Sequence, residues 1–179
     1  MRYAAPATVD EASALLSDYP GSQVFAGATD LVPQMRAGRP APSVLVDLKG
    51  IERLTAVTHE DGQWTIGAAT PTADLTRDAA FTAAFPGLSE GAGLIGSDQI
   101  QNRSSLGGNL ANASPAADSV PALIANAGQA VIATADGTRT VPASEIVTGP
   151  GSTSLADGEF IVEFMLADPP AGTGDAYLR

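Results

Sequence analysis

The chain has 179 residues, 44% of them apolar, with 20 Asp plus Glu against 9 Lys plus Arg and no cysteine. Its formal charge of −11 argues against a nucleic-acid partner, whose phosphates it would repel. Disulfides and cysteine-ligated iron–sulfur clusters are excluded, a single histidine argues against a transition-metal site, and no apolar run approaches the ~20 residues of a membrane span. No apolar h-region marks the N-terminus, so the chain reads as a cytoplasmic protein.

In chain order, Thr8-Val9-Asp10-Glu11 is a capping box, and Ala12, Leu15 and Leu16 continue one face of a helix over 9–18. The apolar run Gln23 to Ala26 predicts a strand. Gly27-Ala28-Thr29-Asp30 is a small-residue turn, and Leu31, Val32 and Met35 predict a helix near 30–37. Val44 to Leu48 reads as a buried strand, completing a β-α-β-like lobe over residues 1–54. Leu54 to Thr58 and Gln63 to Gly67 flank Asp61-Gly62 as a hairpin, with His59 as a solvated turn residue. Residues 72–94 hold short helices broken by Pro86-Gly87. Ser119 to Ala127 reads as a helix with Pro121 in its first turn. Ala130 to Thr134 and Thr138 to Pro142 flank Asp136-Gly137 as a second hairpin, and Phe160 to Leu166 is a final strand. Residues 55–179 are thus expected to form a larger lobe of antiparallel sheet and helices, with no repeat or linker.

The tract from Gln99 to Pro121 carries the chemistry. Gly107 and Gly108 can adopt positive φ and present bare N–H groups to a phosphate, while Ser105 and Asn109 add side-chain hydrogen bonds. Asp118 would repel phosphate; it suits a ribose hydroxyl or a base N–H, or else it caps the helix that follows. The strand–turn–helix at 23–37 offers a second anion grip at a helix N-terminus. Two grips suggest a pyrophosphate. No G-x-x-x-x-G-K-[ST] occurs, and no G-x-G-x-x-G follows the first strand, which argues against a P-loop enzyme and the doubly wound dinucleotide fold. Asp74, Asp98 and Glu145 have no partner visible in sequence and read as surface. No acid–base pair resembles a hydrolase or transferase site, so no catalytic residue is assigned.

Ala26-Gly27-Ala28-Thr29-Asp30-Leu31 resembles the Ala-Gly-Gly-Thr-Asp-Leu loop of the FAD-binding subunits of molybdenum hydroxylases, the carbon monoxide dehydrogenase and xanthine dehydrogenase type. Gln99 to Asp118 resembles that family's Gln-Ile-Arg-Asn-x-Gly-Thr-x-Gly-Gly-Asn tract and its Ala-Ser-Pro-x-x-Asp continuation. Ile66 to Leu75 resembles the family's Ile-Gly-Ala-x-Thr element, and Phe160 to Leu166 with Pro169 its late strand. The likeness runs from Arg2 to Arg179, where the family continues into a further C-terminal domain that this chain is expected to lack.

The resemblance implies an α+β, two-lobed PCMH-type FAD-binding fold with non-covalent FAD between the lobes. The implied cofactor residues are Ala26, Gly27, Ala28, Thr29, Asp30, Leu31, Ala68, Thr70, Ile95, Ser105, Gly107, Gly108, Asn109, Asp118 and Leu166. Ile95 stands where the family places a side chain near the flavin, against the plainer reading of a core isoleucine. Three departures are Ala28 for the second glycine, Ser104-Ser105 for Gly-Thr, and Gln101 for Arg. The implied role is a flavoprotein subunit that takes electrons from a molybdenum subunit, through an iron–sulfur subunit, and passes them to an external acceptor. A standalone FAD-dependent oxidase or dehydrogenase and a redox-inactive assembly module are the alternatives, and homo-oligomerisation is left open.

Overall fold

A parallel and an antiparallel sheet pack over two hydrophobic clusters, and the last strand contributes to both. The computed structural model describes residues 1–178; Arg179, the end of the expected second lobe, lies outside them. The first sheet is parallel, with β1 (Arg2–Ala4), β2 (Gln23–Phe25) and β3 (Val44–Asp47) in the order β1-β3-β2. Helices α1 (Val9–Asp18) and α2 (Leu31–Arg36) make the crossovers. Thr8 Oγ1 accepts from Glu11 N at 3.1 Å, as the capping box predicts. The Glu11 carboxylate reaches one residue further than expected, accepting from Ala7 N at 2.7 Å. β1 had no sequence signal: three mostly exposed edge residues show no periodicity, and only the pairing of Arg2 to Ala4 with Val44 to Val46 makes them a strand.

The second sheet is antiparallel. A short helix α3 (Glu52–Thr55) leads into β4 (Val57–Glu60), so the predicted strand start at Leu54 is helical. β4 turns into β5 (Gln63–Gly67) through Asp61 (φ +50°) and Gly62 (φ +76°), the positive pair that an Asp-Gly hairpin turn requires. Six helices follow: α4 (Thr72–Arg77), α5 (Ala79–Ala84), α6 (Pro86–Gly93), α7 (Asp98–Gln101), α8 (Leu106–Asn112) and α9 (Ser119–Ala125). The helices break next to Pro86, as expected: α5 ends at Ala84 and Pro86 opens α6 in its first turn, where its missing N–H would be unpaired in any case. Then come the hairpin β6 (Gln129–Thr134) and β7 (Gly137–Pro142), the small unpredicted ladder β8 (Val147–Gly149) and β9 (Ser152–Thr153), and β10 (Phe160–Ala167).

The last strand takes the centre, in the order β4-β5-β10-β6-β7. A register shift in its pairing with β6, between Ile161 and Glu163, changes which side chains face which layer. Phe160 and Val162 pack with Val44, Val46, Leu48 and Leu54 under the parallel sheet. Beyond the shift, Phe164 and Leu166 join Trp64, Phe81, Phe85 and Leu110 beneath the helices. Glu163, at the same shift, is buried and pairs with Arg53 through two bonds of 2.8 and 2.6 Å, tying α3 to the central strand. Burial lowers the Arg53 pKa less than these carboxylate contacts raise it. Among the described residues no helix is long and apolar enough to cross a membrane.

Candidate cofactor cleft

Between the end of β2 and the start of α8 lies a cleft of about 370 Å³. One wall is the loop after β2. Gly27 is there for space: a Cβ would stand 1.7 Å from the Arg103 carbonyl oxygen, so only glycine lets this loop touch the tract before α8. Ala28, where the resembling family has glycine, sits in the left-handed region at φ +57°, a conformation that costs a non-glycine residue about 1–2 kcal/mol. Among the described residues the amides of Gly27, Ala28, Thr29 and Asp30 donate to no protein acceptor, although all four residues line the cleft. Unpaired amides in succession around a left-handed residue form a concavity suited to an anion.

Lys49 braces this wall from behind. Its Nζ donates to the Ala26 carbonyl at 2.9 Å and to Asp47 Oδ1 at 2.6 Å, and lies 4.4 Å from the centre of the Phe25 ring. Asp47 also accepts from Tyr3 Oη at 2.8 Å. Burial pushes the Asp47 carboxyl up, but its bonds to Lys49 and Tyr3 together outweigh that and hold it below the usual range. The same Asp47 bond raises the Tyr3 hydroxyl.

The other wall corrects the glycine-loop expectation. Gly107 and Gly108 do not adopt positive φ; they form the first turn of α8. Ser105 is the N-cap, its Oγ accepting from Gly108 N at 3.1 Å, so its hydroxyl already serves the helix. The two glycines differ in purpose. Gly107 is buried, donates to the Ala68 carbonyl at 3.1 Å, and has no room for a Cβ, which would stand 2.5 Å from that oxygen. Gly108 is exposed to the cleft, and its Cβ would meet only Ser105 Oγ, at 3.2 Å. Thr72 holds this turn in place, its N donating to the Ser104 carbonyl at 2.8 Å and its hydroxyl bonding Ser104 Oγ at 2.7 Å.

The expected cofactor residues therefore fall into three groups. Ala26 to Leu31, Ile95, Ser105, Gly108 and Asn109 line the cleft. Ile95 is half-buried at the cleft and belongs to neither core cluster. Asn109 is fixed by Ser119, whose hydroxyl donates to its Oδ1 at 2.7 Å. Ala68 and Gly107 line a smaller apolar hollow of about 110 Å³ that adjoins the cleft and shares Val24, Phe25, Ala26, Gly108 and Ala111 with it. Burial raises the Glu159 carboxyl on this hollow less than the Arg139 guanidinium lowers it, through bonds of 3.0 and 2.7 Å.

Thr70, Asp118 and Leu166 line neither space. Thr70 Oγ1 is buried and lacks a partner among the described residues. Leu166 is fully buried under the helices, opposite Trp64. Asp118 stands at the N-cap position of α9 but makes no side-chain cap bond; its Oδ1 accepts from Tyr177 Oη at 3.0 Å.

Other readings resolve similarly. His59 lies in β4, not in the turn; it stacks on Trp64 at 4.4 Å and its Nε2 meets Asp168 at 2.9 Å. Asp74, Asp98 and Glu145 are exposed, as expected. Gln101, in the family's arginine position, donates to the Gly93 carbonyl at 2.6 Å. Gly91 to Gly96 matches G-x-G-x-x-G, but it ends α6 instead of opening a helix after a strand. Gln23, Gln34 and Arg39 line the cleft without any motif to announce them, and Asn112 lines it from within the Gln99 to Asp118 tract. The described residues contain no group of three metal-ligating side chains.

Residues 1–168 match the family model described as the FAD binding domain in molybdopterin dehydrogenase. The medium chain of carbon monoxide dehydrogenase from Hydrogenophaga pseudoflava is 35% identical over 176 residues, covering 98% of this chain and 61% of that one. The xanthine dehydrogenase FAD-binding subunit of Escherichia coli O157:H7 is 35% identical over 180 residues, covering 99% and 61%. A solved Hydrogenophaga pseudoflava carbon monoxide dehydrogenase superposes with a TM-score of 0.92 at 34% identity, over 96% of this chain and 60% of that chain. The chain thus spans about three-fifths of the length of these relatives.

Proposed function

This chain belongs to the family of FAD-binding domains of molybdopterin dehydrogenases, and on that premise we propose that it holds FAD non-covalently in the cleft between a lobe of residues 1–54 and the lobe that follows. The observation that carries the placement is the row of four amides, Gly27 to Asp30, unpaired among the described residues, in a cleft that Gly108 also lines. With a chain charge of −11, an anionic dinucleotide needs local donors, and these amides supply them. The residues present fit the group: donors stand on one wall, and the other carries an exposed glycine with space for a ligand against its backbone.

In this reading Gly27, Ala28, Thr29 and Asp30 hold the diphosphate. Ser105 and Asn109 shape the facing wall, and Ile95 and the apolar hollow exclude water from the isoalloxazine. Asp118 and Thr70 border the site at one remove, and Leu166 contributes packing. Bound FAD supplies the ability to accept and release electrons singly or in pairs. The chain's work is to bind, orient and shield it. We further propose that it is a subunit that receives electrons from a molybdenum-cofactor subunit through an iron–sulfur subunit and delivers them to an external acceptor.

The test is the visible spectrum of the purified protein before and after heat release of ligand, followed by FAD titration. Flavin bands, or saturable uptake of added FAD, are expected. A protein that stays colourless in excess FAD overturns the proposal.

A further inference from the structure

We infer that Arg39 is the cation this cleft presents to the phosphates of its nucleotide, an inference that rests on the FAD reading above. Of the described residues lining the cleft, only Asp30 and Arg39 carry formal charge. Asp30 is negative and sits among the amides that should hold the diphosphate. Without Arg39 the lining would carry −1 in a chain already at −11, so the amides would work against the local field as well as the global one. With Arg39 the lining is neutral.

The guanidinium is held in a way that keeps its charge available. Its Nη1 donates to Gln34 Oε1, and its Nη2 donates to Gln23 Oε1 at 3.2 Å. Both partners are neutral amides, and among the described residues Arg39 forms no ion pair. A guanidinium has five N–H donors, so two such bonds leave others for a ligand. Both partners also line the cleft.

The backbone fixes where this side chain starts. α2 ends in a Schellman turn: Gly38 has φ +106°, its N donates to Met35 O at 3.1 Å, and Arg39 N donates to Gln34 O at 3.0 Å. Gly38 provides the left-handed residue this turn needs, and Arg39 is thereby turned back toward its own helix. Gln34, held by Arg39 on one side, donates through Nε2 to Asn112 Oδ1 at 3.0 Å, reaching from α2 to the end of α8. The charge therefore sits on a braced polar rim joining the two walls.

The experiment titrates the whole chain with FAD and with riboflavin, which has no phosphate, following flavin fluorescence at several KCl concentrations. Wild type, Arg39→Lys and Arg39→Gln are compared, with circular dichroism confirming the fold. Arg39→Gln should raise the Kd for FAD about tenfold, as expected for a lost charged contact, with the Lys variant in between. It should flatten the rise of Kd with salt and leave riboflavin binding unchanged. Equal losses for FAD and riboflavin with an unaltered salt slope would mean that Arg39 only braces Gln34 and Gln23, and would overturn the inference. Unchanged FAD binding in the Gln variant overturns it too. Failure of wild type itself to bind FAD would instead overturn the proposed function.

Discussion

Gly108→Ala separates a helix residue from a ligand contact, because the two roles predict opposite signs. Gly108 is helical, and its Cβ would meet only Ser105 Oγ, at 3.2 Å. Alanine within a helix is favoured over glycine by about 0.8–1 kcal/mol. The tight contact with a small hydroxyl returns a few tenths of that, leaving a net stabilisation of about 0.5 kcal/mol. For a chain of this size that is a rise in Tm of roughly 1–2 °C. The same methyl group would stand in the cleft where the dinucleotide should meet backbone. FAD affinity should therefore fall at least tenfold, or about 1.4 kcal/mol, in a protein that is slightly more stable. Gly107→Ala provides the contrast. Its Cβ would lie 2.5 Å from Ala68 O and 2.6 Å from Ala68 Cβ, so backbone must shift, at a cost of about 1–3 kcal/mol. Thermal unfolding of both apoproteins, with FAD titration by fluorescence quenching, reads both effects. A Gly108→Ala protein with wild-type FAD affinity would refute the reasoning, because it would make the exposed glycine an ordinary helix residue.

Ala28→Gly relieves a left-handed alanine but frees the unfolded chain, so its stability change should be small, between about 0 and +1 kcal/mol by urea unfolding. FAD should bind at least as tightly, since backbone approach improves; weaker binding would count against the loop as a phosphate grip. For Asp118, which accepts from Tyr177 and makes no side-chain cap bond, Tyr177→Phe removes a bond to a charged group and should cost up to about 1.5–3 kcal/mol of stability, with Asp118→Asn costing less because its amide oxygen still accepts. Asp118→Ala weakening FAD but not FMN would show that the carboxylate reaches the adenosine half; equal FAD titrations for all three variants would deny it. The Asp47 carboxyl is held below its usual range when folded, so its contribution to stability is present above about pH 4 and fades as pH falls through the lower folded value. Asp47→Asn should therefore be less stable than wild type at neutral pH and converge with it under acid. Parallel denaturation profiles down to pH 2 would refute the Lys49 and Tyr3 network as the cause.

The features legible from sequence are those decided within a few residues. Thr8 and Glu11 mark the start of α1, and Asp61-Gly62 marks a turn whose two positive φ values those residue types tolerate. Gly27 to Leu31 and Ser105 to Asn109 stand out in sequence because residue type and order in these segments resemble the family, and Gly27 to Leu31, Ser105, Gly108 and Asn109 line the cleft. What escaped depends on partners far along the chain. Gly-Gly carries a helix penalty, so the sequence suggested a loop; the Ser105 cap and the seat of Gly107 against Ala68 made it a helix. β1 exists because β3, about forty residues on, pairs with it, and β10, last in order, takes the middle of its sheet. Arg39 belongs to no motif. Its place at the cleft follows from the Schellman turn after α2 and from amides at Gln23 and Gln34, and only the folded arrangement of β2, α2 and α8 brings that charge to the site.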